Sequence, residues 1–538
     1  MTGAVLDGDA VRPVSGDYVV DVKRDRKVII ASSLGTVFEW YDFFIYGTLA
    51  ITIGRLFFPA DNPTVQFLLA LASFAVGFGF RPLGAVLFGY LGDKLGRKYT
   101  FLITITLMGG ATAAVGLVPT YASIGIAAPL ILIFLRILQG LALGGEYGGA
   151  AIYVAEHAPP GKRGFYTSFI QASVAGGFLL SLVVVLGCQW SMSAEAWAEW
   201  GWRLPFLFSI VLLAISLWIR MKLEESPVFQ AMKQAGGLAK NPLKESFATR
   251  RNTGRILVAM IGVAAGLTVI WYTAQFQTLY FLQNAMRVEE TLAKTIIGAS
   301  AVVSLVWFIL FGWLSDRIGR RKPILIGYVL TLVLLFPMFH IIANAANPSL
   351  AEASARAPIV VQGPDCSFNP FATKGQATEC GRLLDYFSKR GIHYDKLTAP
   401  AAGVTIGGQP VADTTPEGLD AALAAAGYSF ETVRPGWGAI LTILFAIVVL
   451  GVLSGMTYGP VAALLTEMFP ARVRYSSMSI PYHIGTGYFG GFLPFISQYI
   501  IAKTGDPFSG LWYTFGVVAL ALVVALIWLP ETAGKELD

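Results

Sequence analysis

Charge is scarce in this chain. Only 13% of its 538 residues are Asp, Glu, Lys or Arg, against 55% hydrophobic, whereas about a quarter of a soluble domain is charged. That shortage excludes an ordinary soluble protein. Also missing are the alternating segments of about ten residues that build a membrane barrel. No secretory signal opens the chain: residues 1–26 mix Asp, Arg and Lys without an apolar centre. Paired glycines occur in "GGEYGGA" (144–150) and "YFGGF" (488–492). They lack the strand–turn–helix setting of a phosphate loop and read instead as close helix contacts. The net charge of +6 resides in loops and gives no nucleic-acid footprint. No nucleophile, metal-ligand set or cofactor loop converges, so neither an enzyme, a cofactor nor a metal is expected.

What is present is apolar runs long enough to cross a bilayer as helices. Twelve are expected, near 28–54, 65–92, 99–118, 125–154, 165–187, 203–221, 255–283, 293–314, 323–343, 437–464, 475–502 and 511–529. The fold class is an all-α membrane protein of twelve transmembrane helices. Basic residues gather in alternate loops (Lys94, Arg97 and Lys98; Lys162 and Arg163; Arg317, Arg320, Arg321 and Lys322; Arg472 and Arg474). This asymmetry predicts both termini in the cytoplasm. The expected units are a cytoplasmic tail (1–26), a six-helix bundle (27–222), a linker (223–254), helices 7–9 (255–343), an insert outside the cytoplasm (344–436), and helices 10–12 with a short tail (437–538).

Two loops repeat. "GYLGDKLGRK" (89–98) matches "GWLSDRIGRR" (312–321), and "EHAPPGKR" (156–163) matches "EMFPARVR" (467–474). Asp93 and Glu156 are 63 residues apart, Asp316 and Glu467 151 apart, and the excess is close to the length of the insert. One six-helix unit is therefore used twice, an arrangement known in transporters. With "FEWYDFFIYG" (38–47), "FRPLGAVLFGYLGD" (80–93), "RILQGLALGGEYGGA" (136–150) and "YGPVAALLTEMFPARVRYSSMSIPY" (458–482), these loops resemble the metabolite:proton symporters of the major facilitator superfamily. The resemblance implies two pseudo-symmetric bundles working by alternating access. It also implies a gating network of Gly89, Asp93, Gly96 and Arg97, of Asp316, Gly319 and Arg320, and of Glu156, Arg163, Glu467 and Arg474. The alternative for these charges is simple orientation of the chain. A latch that must open is expected to use exposed pairs, worth about 0–1 kcal/mol each.

Glu39, Asp42 and Tyr46 share one helix face with Gly35. Arg81 lies twelve residues before Asp93, about 18 Å along its helix. Arg136 and Gln139 lie mid-span, and Glu146 follows on the same helix. Charges at membrane depth are functional candidates. Arginine keeps its charge and offers a planar fork, so Arg136 and Arg81 suit an anionic substrate or a balancing acid. Asp42, Glu39 and Glu146 are candidate proton carriers, since burial and a nearby arginine move a carboxyl in opposite directions. One acid would carry the proton while another is bound to a fixed arginine; static ion pairs throughout are the alternative. The second half offers Tyr272 and Gln275 (with Thr268), Tyr458 and His483 as polar candidates, as readily packing groups as ligands.

Cys366 and Cys380 are the insert's only cysteines, either a disulfide suited to an oxidising compartment or two free thiols. His393 alone makes no zinc site. "TTPEGLDAALAAAGY" (414–428) predicts a helix capped by Thr415, with Pro416 first and Gly427 after it. The expected activity is proton-coupled import of a small organic acid by a monomer among the lipids of a bacterial inner membrane, with protons as the coupling ion. A zwitterionic osmolyte such as betaine is the alternative, although only "ETAGKELD" follows the last span in place of an osmosensor's coiled coil. Proton-antiport efflux is disfavoured because residues 165–187 contain no proline.

Overall fold

The computed structural model describes residues 11–14, 18–60, 62–95, 97–145, 147–159, 161–221, 242–371, 375–470 and 473–535. All twelve expected spans are helical. Span 1 runs Val22–Thr48 and Ala50–Phe57, span 2 Pro63–Gly79 and Arg81–Leu95, span 3 Arg97–Leu117. Span 4 runs Ala127–Gly144 and Tyr147–His157, span 5 Arg163–Trp190 and span 6 Arg203–Met221. In the second half, span 7 runs Arg250–Ala285, span 8 Glu290–Ile318 and span 9 Arg321–Ala346. Span 10 runs Trp437–Tyr458 and Val461–Met468, span 11 Arg474–Ile484 through Leu493–Thr504, and span 12 Leu511–Trp528. Among the described residues, eight helices are long and apolar enough to cross a membrane by themselves, and Leu102–Leu117 of span 3 is a shorter apolar stretch. The remaining spans, 1, 3, 6 and 11, are interrupted or carry charge.

Two seams join the halves: span 5 packs along span 8, and span 2 along span 11. Their symmetry follows from the repeated six-helix unit. The helices come close because glycines let them. A methyl group at Gly144 would overlap the Arg81 carbonyl, and one at Gly490 would overlap the Thr268 side chain. Spans 7 and 11 also contain wide turns, at Val258–Ala265, Thr273–Gln277 and Phe281–Ala285, and at Gly485–Gly491. Such turns recur at functional sites.

The segment between spans 9 and 10 forms a small separate core. Its helix Pro416–Ala425 has Thr415 as N-cap, accepting from the Gly418 N–H, and Gly427 follows at φ +89°. The sequence reading foresaw this helix but not the four-stranded sheet beside it. Strands Asp395–Thr398, Ile359–Gly363, Gly403–Ile406 and Gln409–Pro410 lie in that order, the first pair parallel and the others antiparallel. Val361 and Ile359 alternate inward with Leu384, Phe387 and Leu423 in the same core. Alternation in so short a run is masked by an alanine- and proline-rich composition. Cys366 and Cys380 are joined as a disulfide, with Cα atoms 5.0 Å apart.

The insert lies across one end of both halves. Asn62 donates to the Asp385 carboxylate at 2.8 Å and Thr64 to the Ser388 carbonyl at 2.9 Å, at the start of span 2. Lys503 of span 11 donates to the Phe368 carbonyl at 2.8 Å. Its apolar core takes in Leu68 of span 2 and Ala502 of span 11.

Candidate substrate and gating sites

The middle of the first half is built around Arg136, which is fully buried. Its guanidinium carbon lies 4.3 Å from the Phe43 ring centroid and 4.5 Å from that of Tyr46. Such contacts favour a cation away from water. Its Nη1 donates to Gln139 Oε1 at 2.6 Å and Gln139 Nε2 donates to Thr112 Oγ1 at 2.6 Å; the Thr112 hydroxyl donates to the Met108 carbonyl at 2.9 Å and lies 3.4 Å from the main-chain carbonyl oxygen of Asp42. The Arg136–Gln139 contact follows from their i, i+3 spacing on span 4. Nε and Nη2 of Arg136 have no hydrogen-bond partner. Gly77 of span 2 makes the room: a methyl there would meet both the carbonyl and Nη2 of Arg136.

Asp42 is buried, but not beside either arginine. Among the described residues it makes no ion pair. Ser209 of span 6 lies next to it, yet Asp42 Oδ1 and the Ser209 hydroxyl each lack a hydrogen bond. The acid therefore sits behind the Arg136–Gln139–Thr112 chain, inside the first bundle. Helix rotation explains the difference: Phe43 and Tyr46 of span 1 take the face toward Arg136, so Asp42 points elsewhere. Tyr46 bonds to Ser73, and Glu39 is buried on the same span. Glu146 lies outside the described residues.

Arg81 begins the second segment of span 2, fully buried, with its guanidinium carbon 5.1 Å from the Trp40 ring and 5.3 Å from that of Phe78. Tyr272, Tyr458 and His483 of the second half lie within its electrostatic reach. All three are buried, as is Gln275. The Tyr272 hydroxyl, Gln275 Oε1 and both ring nitrogens of His483 lack partners. Buried polar atoms are seldom left unbonded, and of these the Tyr272 hydroxyl lies within electrostatic reach of Arg136 and His483 within that of Arg81. Tyr272 connects the two arginines, lying within reach of both.

Toward the insert, the level of these arginines is closed by aromatic rings from both halves. Phe44 stacks on Trp271 at 5.0 Å, and Phe276 lies 5.7 Å from Phe44 and 5.9 Å from Phe74. Above them the Tyr280 hydroxyl donates to the Gly47 carbonyl at 2.8 Å. The sequence reading passed over Tyr280; its one signal was an aromatic two turns beyond Tyr272.

At the opposite end the repeated loops meet. Asp316 accepts from the Gly164 and Phe165 N–H groups at the start of span 5, both at 2.8 Å, a favourable place for an anion. Arg320 binds Asp316 at 2.6 Å and Glu467 at 3.0 Å. Arg163 lies 3.9 Å from Glu467, and Arg474 contacts Glu156 at 3.3 Å. Gly319 takes φ +98°, and a methyl there would strike the Glu531 carboxylate. The expectation of exposed pairs is corrected here: the Arg320, Asp316 and Glu467 side chains are only 2%, 6% and 1% accessible. Two groups of the tail cover them. Glu531 accepts from the Arg320 and Arg321 N–H groups at 2.8 and 3.1 Å, and Thr532 donates to Glu467 at 2.7 Å. Gly89, Asp93, Gly96 and Arg97 lie outside the residues whose side chains are described.

Comparison with known proteins agrees with this architecture. The chain matches the family described as "Sugar (and other) transporter" over residues 27–260 and 421–538. It is 31% identical to the inner membrane metabolite transport protein YhjE of Escherichia coli K12, over 96% of each chain. It is 38% identical to the shikimate transporter of the same organism, over 61% of this chain and 75% of that one. Against the proline/betaine transporter of Salmonella typhimurium it is 39% identical, over 63% and 69%. The crystal structure of a D-xylose-proton symporter superimposes with a TM-score of 0.60 at 17% identity, over 95% of this chain and 99% of that one, which shows the shared fold. The chain thus belongs to the sugar (and other) transporter family of the major facilitator superfamily, on the metabolite:proton symporter branch, and is a transporter rather than an enzyme.

Proposed function

We propose that this transporter imports a small organic acid together with protons across a bacterial inner membrane, with the repeated loops and both termini on the cytoplasmic side. The observation that carries this reading is the chain Arg136–Gln139–Thr112, which ends at span 1 against the main-chain carbonyl of Asp42. At one end a fixed cation presents two unpartnered guanidinium nitrogens at the level shared by both halves. The residue at the other end, Asp42, carries a buried carboxyl that makes no ion pair among the described residues. A carboxylate substrate would take the fork of Arg136 in a bidentate fashion, and the resulting shift of Gln139 and Thr112 would press on the span 1 backbone that carries Asp42. Protons are the coupling ion in this scheme, and no cofactor takes part. The working unit is one chain in its lipid.

A zwitterionic osmolyte is the second reading. Trp271, Tyr272 and Phe44 cluster at this level, and aromatic faces hold quaternary ammonium groups. The proline/betaine relative points the same way.

The test is uptake into proteoliposomes with an imposed inward proton gradient, for shikimate, α-ketoglutarate and glycine betaine. Gradient-driven uptake of a carboxylate, abolished in Asp42→Asn while exchange persists, is the expected result. Betaine uptake alone would select the second reading. Uptake indifferent to the gradient would overturn proton coupling.

A further inference from the structure

A cavity of about 500 Å³ lies between the insert and the outer ends of spans 1, 2, 7 and 11. It is separated from the central level by Tyr280, which lines it and bonds to Gly47. Arg55, Arg287, Lys389 and Arg390 line it, with Glu290 as the one acidic side chain. The charges are not equivalent. Lys389 pairs with Asp385 and Arg390 with Asp420, but those two carboxylates stand behind the wall. Glu290 is paired with Lys294. Arg287 donates only to main-chain carbonyls, those of Phe430 and Arg390, and keeps its full charge. Arg55 makes no hydrogen bond or ion pair among the described residues and faces Glu290 across the cavity. The interior is therefore electropositive, with one arginine from each half that makes no ion pair among the described residues, Arg55 sharing the influence of Glu290 with Lys294.

Backbone conformation marks the same place. Among the described residues, Arg287 is the only non-glycine with positive φ, at +56°. It is pinned there by the bridge between Val288 and Val433. Left-handed backbone at a non-glycine residue is unfavourable and persists where the surroundings enforce it, often at ligand sites. A volume of this size accommodates a small metabolite.

We propose that this chamber is a second, outer binding site for a small carboxylate anion, held between Arg55 and Arg287 and roofed by the insert. It deepens the proposed function and rests on the carboxylate reading for its link to transport. The chamber gathers the anion ahead of the Tyr280 gate, as a cleft of one charge sign raises the local concentration of its counter-ion.

Two measurements on the full chain test it. In proteoliposomes, Arg55→Gln should raise the KM for the transported carboxylate roughly fivefold with kcat unchanged, and Arg55→Lys should restore most of it. Separately, Gln283→Cys places a thiol in the chamber wall, on a Cys188→Ser background. A membrane-impermeant maleimide should label it. Millimolar α-ketoglutarate or shikimate should slow labelling in the parent and in Arg136→Gln, and the protection should vanish in Arg55→Gln. Absence of labelling, protection indifferent to Arg55→Gln, or an unchanged KM overturns the proposal. Protection without any carboxylate uptake leaves the chamber standing and removes the carboxylate from the proposed function. Carboxylate uptake without protection does the reverse.

Discussion

The two ends of this transporter are closed by different chemistry. At the end with the repeated loops, the halves are held by buried charge: Asp316, Arg320 and Glu467 with the helix start at Gly164, and Arg474 with Glu156. At the insert end they are held by aromatic faces, one phenol hydrogen bond and the insert's contacts at Asn62 and Thr64. Opening the first end must hydrate ions, which is favourable only if water reaches them as they separate. Opening the second exposes apolar rings, a cost that grows with area. The first closure is therefore closer to all-or-none, and the second can yield in steps.

The largest expected effect comes from breaking the charged end. Arg320→Ala leaves buried Asp316 without its cation and Glu467 with only the longer contact to Arg163; breaking a buried pair in this way costs up to about 3–5 kcal/mol. Thermal unfolding should fall accordingly, and Ser168→Cys, buried in the parent, should become accessible to an impermeant maleimide. Continued protection would show that helix packing rather than charge closes this end. Next is the insert. Cys366 and Cys380 are 14 residues apart, and a loop of that size is worth about 3 kcal/mol. Replacing both with Ser should speed proteolysis of the insert while leaving Ser168→Cys protected. Smaller still is Tyr280→Phe, which removes one hydrogen bond of about 0.5–1.5 kcal/mol. It should raise accessibility to an impermeant maleimide at Gln275→Cys, buried on the inner side of Tyr280, only slightly, because the aromatic rings remain.

The smallest effect concerns pH. The Tyr386 hydroxyl, and with it the Arg390 guanidinium, hold the Asp420 carboxyl below its usual value. Its contribution to the insert is therefore present above about pH 4, the ordinary carboxylate value, and is lost as pH falls through the lower folded value. The group is largely exposed, so the loss should show as a slight rise in insert proteolysis under acid, absent in Asp420→Asn.

Much of this was legible in the sequence because it depends on local spacing. The spans follow from long apolar runs, the Arg136–Gln139 bond from i, i+3 geometry, and the insert helix from Thr415 and Pro416. The Gly-x-x-x-Asp-x-x-Gly-Arg loop also placed Asp316 beside Arg320. What sequence missed depends on contacts between distant segments. The burial of the latch needs Glu531 and Thr532 to return over it, more than 200 residues from Arg320. The orientation of Asp42 away from the arginines needs the rotation of span 1 against span 4. Tyr280 bridges the two halves only because Gly47 of the other half offers its carbonyl.

The fastening of the tail has a practical side. Besides the bonds from Glu531 and Thr532, Arg163 of the first half donates to the Lys535 carbonyl at 2.6 Å. Residues 531–535 thus tie the two bundles together where they must part. A purification handle or fluorescent reporter fused just beyond them would tug on the latch itself. Transport rates and labelling patterns taken with such a fusion would then describe the fusion.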